Sequence, residues 1–409
     1  MKIWIGRRES DILTCKNMSF NYSITYYGSN DKIHNYAYCT LERTTAEYDI
    51  NFYIFVNESI RFLTKEQSDF EIYFYNNKVG RKLEHINPSL KKHFRNCNSY
   101  ELLDWLNNKS YTRFWLSNSV NVPPYALLSA SECNYKSLKQ KFPDYFEYII
   151  QSNYSSGGTG TYHLTPNNEN NILNALSQTK PYLVSPYIDK SISACCHVII
   201  GKENNLIFPI GFQIISDKTD KMYYVGTSFK QLLLEKDIYS NIYKFIDRIS
   251  KRLARNGYRG ICGYDFLIKD DNILLIEINP RFMASSYLLN HVLEQNKLPS
   301  LFFFVISLLF LHNNKIYRKD SCIMKINYYK LTESEMNDIP FTKGSLYRTT
   351  DTDRLYLDPI NGSERILLEV ESVNSLDTSD ATATVDDIQD GCTAYVNGEK
   401  ITGKVKVVR

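Results

Sequence analysis

An aspartate inside the apolar run GYDFLI (Asp265) and the run LLIEINPRF, with Glu277, Asn279 and Arg281 at two-residue spacing, set four polar side chains into apolar stretches. Alternate residues of a strand share a face, so 277 and 279 point the same way and Arg281 follows them. A short polar turn at Lys269 to Asn272 predicts that the two runs pair antiparallel. With Asp265 on the same face, three oxygen ligands converge. Such a set suits Mg²⁺, which takes few protein oxygens and completes its octahedron with phosphate oxygens and water. Arg281 is placed to hold a transferred phosphoryl group. The blander reading, an acid capping a barrel mouth or paired with a surface lysine, fits an isolated Glu. Four such residues among apolar neighbours are costly to bury unless paired or metal-bound.

The elements that must position these residues follow from the patterning. The first hundred residues alternate β-rich runs (MKIWIG, DINFYIFV, DFEIYFYN) with polar segments, as in a small α/β unit. No glycine fingerprint for dinucleotides follows them. A helix from Ser99 to Leu106 leads to Val122-Pro123-Pro124, which stops a helix and starts an extended segment. From Phe146 the order is strand (FEYIIQS), glycine-rich loop (SSGGTGT), strand (YHL), helix (NENNILNALSQT) and strand (PYLVSPYI). Three more strands follow in SISACCHVIIG, NLIFPIGFQII and KMYYVGTSF, then an amphipathic helix from Ile238 to Asn256. The fold class is α/β (α+β).

The E-I-N-P-R run after a D-F strand resembles the metal-binding signature of the ATP-grasp superfamily. The resemblance covers roughly residues 100 to 320 and implies two α/β lobes clasping ATP, preceded by a small pre-ATP-grasp domain and followed by a β-rich appendage. Its boundaries are 1–105, 106–188 for the small lobe, 189–365 for the large lobe and 366–409 for the tail. It implies that Asp265, Glu277 and Asn279 bind Mg²⁺, with Mn²⁺ as an alternative. Glu277, Asn279 and Arg281 would be catalytic. The glycine-rich loop of Ser155, Ser156, Gly157, Gly158, Thr159, Gly160 and Thr161 would close over the nucleotide phosphates, since glycines let backbone N–H groups approach an anion. Lys109 in NNKSYTRF resembles the lysine that opens the nucleotide-binding region, although a solvated surface lysine fits the sequence equally well. Ser185, Pro186, Tyr187 and Ile188 occupy the hinge whose backbone contacts adenine.

Two positions depart from the family pattern. Gln151 stands where many relatives carry a lysine, and brings hydrogen-bonding capacity without charge. The ribose-binding acid after the hinge is absent, with Ser191 near its place and Asp189 as a substitute. The implied chemistry is attack of a substrate carboxylate on the γ-phosphate of ATP, then of an amine on the resulting acyl phosphate. Substrate contacts are expected from Phe282 to Ser286, with Gln213 and the YYVGTSF strand as further candidates. His163 and His197 read as structural.

Composition narrows the partners. Of the 409 residues 43% are hydrophobic and 23% charged, and the formal charge of +3 is spread without a dense basic run, which argues against nucleic acid and an anionic membrane. The resemblance implies small-molecule or peptide carboxylates and amines as substrates, and a homo-oligomer is the expected assembly. The run Leu298 to Leu311 is shorter than the roughly 20 residues a bilayer requires, so it reads as a buried helix. Nine scattered cysteines without C-x-x-C spacing fit reduced thiols in a cytoplasm, with Cys195-Cys196 in strand core. The final segment, SDATATVDDIQDGCTAYVNGEKITGKV, contains a hairpin signal at Asn397-Gly398 and resembles a short repeat of phage tail proteins. Docking module, tethered peptide substrate and passive fusion remain open for it. The alternative for the whole chain is a non-catalytic ATP-binding or structural module.

Overall fold

The computed structural model describes residues 1–6, 20–24, 48–155, 158, 160–201, 205–216, 220–229, 236–295, 298–302, 305, 322–323, 346–348, 354–357, 365–369, 393–396 and 399–402. Strands β1 (Lys2–Ile5), β2 (Tyr22–Ile24) and β3 (Glu71–Phe74) form a three-stranded parallel sheet of order β2-β1-β3, with helix α1 (Tyr48–Leu63) between β2 and β3 in the chain. DINFYIFV, read from its composition as β-rich, lies in α1. Phe52, Val56 and Ile60 are buried at four-residue spacing, which is the period of a helix face, and that burial outweighs the strand preference of the residues around them. Helix α2 (Lys78–Ile86) follows β3.

Helices α3 (Tyr100–Asn107) and α4 (Lys109–Leu116) are separated by one residue. That residue, Asn108, caps α4: its Oδ1 accepts from Tyr111 N at 3.0 Å. Strand β4 (Ala126–Leu128), helix α5 (Tyr135–Lys141), strands β5 (Tyr148–Ser152) and β6 (Thr161–Leu164), helix α6 (Glu169–Ala175) and strand β7 (Tyr182–Pro186) make the next unit, an antiparallel sheet of order β4-β7-β5-β6. Its own core includes Leu138, Tyr148, Ile150, Leu164, Ile172 and Val184.

The larger sheet has the order β10-β9-β8-β11-β12, built from β8 (Ile192–Ile200), β9 (Asn205–Ser216), β10 (Tyr223–Ser228), β11 (Gly260–Lys269) and β12 (Asn272–Asn279). Helix α7 (Lys236–Arg255) packs on it through Ile242, Ile246, Ile249 and Leu253. Leu102, Leu103, Leu106, Leu116 and Val120 belong to this same core, so α3 and α4 are anchored on the large sheet although they precede the small one in sequence. Cys195 and Cys196 are buried in β8 as free thiols, matching the strand-core expectation.

After helix α8 (Ser286–Gln295), Leu301, Phe302 and Val305 are buried; residues 303, 304 and 306–311 of the apolar run lie outside the described residues. Strand β13 (Cys322–Ile323) pairs parallel with β9, and β14 (Leu346–Arg348), β15 (Arg354–Leu357) and β16 (Arg365–Glu369) form an antiparallel sheet. In the tail, β17 (Thr393–Val396) and β18 (Glu399–Thr402) pair antiparallel with Val396 opposite Glu399. That register brackets the expected Asn397-Gly398 turn, whose two residues are outside those described. Among the described residues no helix is long and apolar enough to cross a membrane.

Candidate functional site

Strands β11 and β12 pair antiparallel as expected, with Asp265 opposite Glu277 and Gly263 opposite Asn279. The register shifts after Asp265, where Phe266 pairs with Leu275, so Ile276 is an extra residue on β12. This bulge bends the strand beside the site. Gly263 permits a close approach: a Cβ there would overlap the side chain of Met283, which lies against the strand.

The four residues singled out from the sequence converge. Asn279 Nδ2 donates to Asp265 Oδ2 at 2.8 Å, and Arg281 Nη2 donates to Asn279 Oδ1 at 2.9 Å. Gln213 Nε2 donates to Asp265 Oδ1 at 2.9 Å, and its own Oε1 accepts from Ser193 Oγ at 2.8 Å. Gln213 thus fixes the Asp265 carboxylate from β9. Burial, and next the facing Glu277 carboxylate, push the Asp265 pKa up, against the opposing pull of Arg281 and of the hydrogen bonds from Asn279 and Gln213. A cation between the two carboxylates would relieve both effects. Among the described residues no group of three His, Cys, Asp or Glu side chains could hold a metal ion. Here two carboxylates and the Asn279 amide make up the donor set, all hard oxygens, and that chemistry fits Mg²⁺.

Lys109 is buried, not solvated. At the first turn of α4 it is 3% exposed; Nζ donates to Ser155 Oγ at 2.7 Å and to Ser155 O at 3.0 Å, and lies 3.5 Å from Glu277 Oε2. One lysine therefore ties the start of the glycine-rich loop to β12. The loop leaves β5 and returns to β6 through Ser152 N to Gly160 O at 2.9 Å and Thr161 N to Gly158 O at 3.0 Å. Gly158 and Gly160 have φ of 80° and 72°, a region that favours glycine. Ser156, Gly157 and Thr159 lie outside the described residues.

Sequence reasoning missed Arg113. It sits one turn beyond Lys109 on the same face of α4 and is 2% exposed. Nη1 donates to Ser185 Oγ at 2.5 Å, Nη2 to Gln151 Oε1 at 3.1 Å, and Nε to the carbonyl of Ile276, the bulge residue, at 3.4 Å. Burial lowers its pKa to about 10, so it stays charged near neutrality. The i, i+4 spacing from Lys109 was the signal available in the sequence. Gln151, itself buried, meets a cation supplied by another element.

The hinge expected at Ser185 to Ile188 connects the two sheets: β7 ends at Pro186 and β8 begins at Ile192. Tyr187 N donates to Glu147 O at 2.8 Å, and Ser191 Oγ to Ile188 O at 2.7 Å. Asp189 is exposed beside Lys190, whose φ is 54°. Across the mouth, His163 N donates to Asp220 O at 3.0 Å and Met222 N to Thr161 O at 3.2 Å, so the edge of β6 meets the large lobe.

Of Phe282 to Ser286, the expected substrate contacts, only Ala284 is partly exposed; the other four are buried. Phe282 is buried against Trp4, Tyr75 and Phe302, and Tyr75 OH donates to Met283 O at 2.6 Å. Ser286 Oγ bonds Met283 N at 2.9 Å and lies 3.0 Å from His197 Nε2. These residues join the first unit to the large sheet because an aromatic cluster there excludes water. Gln213 directs its amide at Asp265. His197 is fully buried, its pKa driven down to about 3, and His163 pairs with Glu147 at 2.7 Å; both have structural partners.

The ATP-grasp domain family matches residues 106–285, from the end of α3 through the Asp265 to Arg281 cluster. The chain carries an ATP-grasp domain. Solved structures agree on the fold. Biotin carboxylase from Campylobacter jejuni, in complex with β,γ-ATP, is 16% identical with a TM-score of 0.57, over 75% of this chain and 70% of its own. An L-amino acid ligase from Bacillus licheniformis is 11% identical with a TM-score of 0.54, over 76% of this chain and 74% of its own. N5-carboxyaminoimidazole synthetase from Staphylococcus aureus, complexed with ADP, is 11% identical with a TM-score of 0.53, over 83% of this chain and 84% of its own. No curated protein sequence matches the chain. At such identities the ATP-grasp fold is shared while the substrate is free to differ.

Proposed function

We propose that the protein is an ATP-dependent carboxylate–amine ligase acting on a small-molecule or peptide acid and amine. The observation that carries this reading is the convergence of Asp265, Glu277, Asn279 and Arg281 within reach of Lys109 and the glycine-rich loop. A substrate carboxylate oxygen attacks the γ-phosphorus of ATP; the bond to the bridging oxygen breaks, giving an acyl phosphate and ADP. The amine nitrogen then attacks the acyl carbon, phosphate leaves, and the nitrogen loses a proton to give the amide.

Most of the catalysis in this scheme is positioning and charge neutralisation. Asp265, Glu277 and Asn279 would hold Mg²⁺, which neutralises phosphate charge when bound. Arg281, restrained by Asn279, stabilises charge on the transferring phosphoryl group. Lys109 draws the Ser155 end of the loop towards Glu277, and the loop shields the acyl phosphate from water. The hinge and the contact between β6 and residues 220–222 define the mouth that the small lobe closes. The test mixes the protein with Mg-ATP and pools of amino acids or peptides, following ADP release and product mass. Substrate-dependent ADP with a new amide is expected. Nucleotide binding without turnover in any pool would favour the non-catalytic module instead.

A further inference from the structure

Arg113 is a buried charge that the ligase scheme leaves unused. Its three hydrogen-bond partners, Ser185 Oγ, Gln151 Oε1 and Ile276 O, are all neutral. Among the described residues no carboxylate lies within ion-pair distance of it, and the nearby Glu277 is paired to Lys109 at 3.5 Å. A guanidinium carries five N–H donors in a rigid fork, so two remain beyond those three bonds. A buried cation with only neutral partners is strongly unfavourable unless something else supplies the counter-charge.

Its position says what that is. Ser185 belongs to the hinge, Gln151 to the strand that runs into the glycine-rich loop, and Ile276 to the bulge beside Glu277. The guanidinium therefore stands between the hinge and the metal strand, along the line a nucleotide must span. Together Lys109, Arg113 and Arg281 outnumber the carboxylates Asp265 and Glu277, leaving the cluster with positive charge to share.

We infer that Arg113 binds the anionic phosphates of the nucleotide, reaching them from helix α4 beside Gln151. This rests on the proposal that the cleft binds ATP. It also accounts for Gln151: a lysine there would set a second cation against the Arg113 guanidinium, now 3.1 Å from the amide oxygen. A neutral acceptor orients Arg113 and avoids the repulsion.

The experiment measures Kd for ATP, ADP and adenosine, with Mg²⁺, by titration calorimetry on the full chain and on three variants. Arg113→Gln is expected to weaken ATP and ADP by about 10- to 100-fold, the equivalent of one charge-assisted hydrogen bond, and to leave adenosine unchanged. Adding Gln151→Lys to Arg113→Gln returns the charge from the strand and should recover most of that loss. Gln151→Lys alone should not tighten ATP, because it crowds two cations. Equal weakening of adenosine and ATP would make Arg113 a strut that shapes the cleft and would overturn the inference, as would unchanged ATP affinity. If the single variant does not fold, the swapped pair, which keeps the buried charge, decides: an ATP affinity no better than that for adenosine refutes it. Failure of the unmodified protein to bind ATP would instead sink the ligase proposal on which this rests.

Discussion

Replacing Glu277 by Gln keeps volume and hydrogen-bonding capacity while removing one charge from the centre of the site. In the fold, Glu277 attracts Lys109 across 3.5 Å, worth about 5 kcal/mol before desolvation at an effective dielectric constant near 20. Glu277 also faces Asp265 across the strand pair and raises its pKa, so the substitution relieves a like-charge repulsion that offsets part of the lost attraction. The net change in stability should stay within about 2 kcal/mol, a shift of a few degrees in Tm. Catalysis has no such offset, because a lost carboxylate weakens phosphate neutralisation directly. Substrate-dependent ADP release should fall by about 1,000-fold, as when a group aimed at developing charge is removed. Mn²⁺ titration followed by electron paramagnetic resonance reports the metal separately from turnover and should show weakened binding. Full activity with unchanged Mn²⁺ affinity would refute the metal assignment; a variant that fails to fold would make Glu277 a structural partner of Lys109.

Gln213→Leu leaves Asp265 Oδ1 without its donor at 2.9 Å, and the Mn²⁺ concentration needed for half-saturation should rise by about 10- to 100-fold; an unchanged titration would remove Gln213 from the site. Gly263→Ala places a methyl where Met283 packs, and overpacking should lower stability by about 1–3 kcal/mol in thermal unfolding. The added substitution Met283→Ala should return part of it, whereas an unaltered Gly263→Ala melting curve would mean that the approach of Met283 to β11 is unimportant.

The pairing of β11 with β12 was legible because its information is local. Glu277 and Asn279 share a face by strand alternation beside a short polar turn, whereas the extra residue Ile276 is what brings Asp265 opposite Glu277. The glycine-rich loop was legible for the same reason, since a run of glycines between two strands allows the positive φ that Gly158 and Gly160 adopt. DINFYIFV was misread because β-branched and aromatic residues favour strands in isolation, and only packing of Phe52, Val56 and Ile60 on the parallel sheet reveals the four-residue period. Phe282 to Ser286 looked available for substrate because nothing nearby in sequence announces that Trp4 and Tyr75 cover Phe282.

By itself, then, the sequence determined the pairing of the two strands, the loop between β5 and β6 and the family they resemble, all of which rest on short-range spacing. Tertiary structure decided what happens to the charges. Lys109 could be a solvated lysine until α4 is laid on the large sheet, which buries its Nζ between Ser155 and Glu277. Gln151 looked like a missing charge until Arg113, 38 residues earlier in the chain, was brought against it. A buried charge is tolerable or costly according to partners that chain folding supplies from distant positions, and the identity of those partners is not written in the residues beside it.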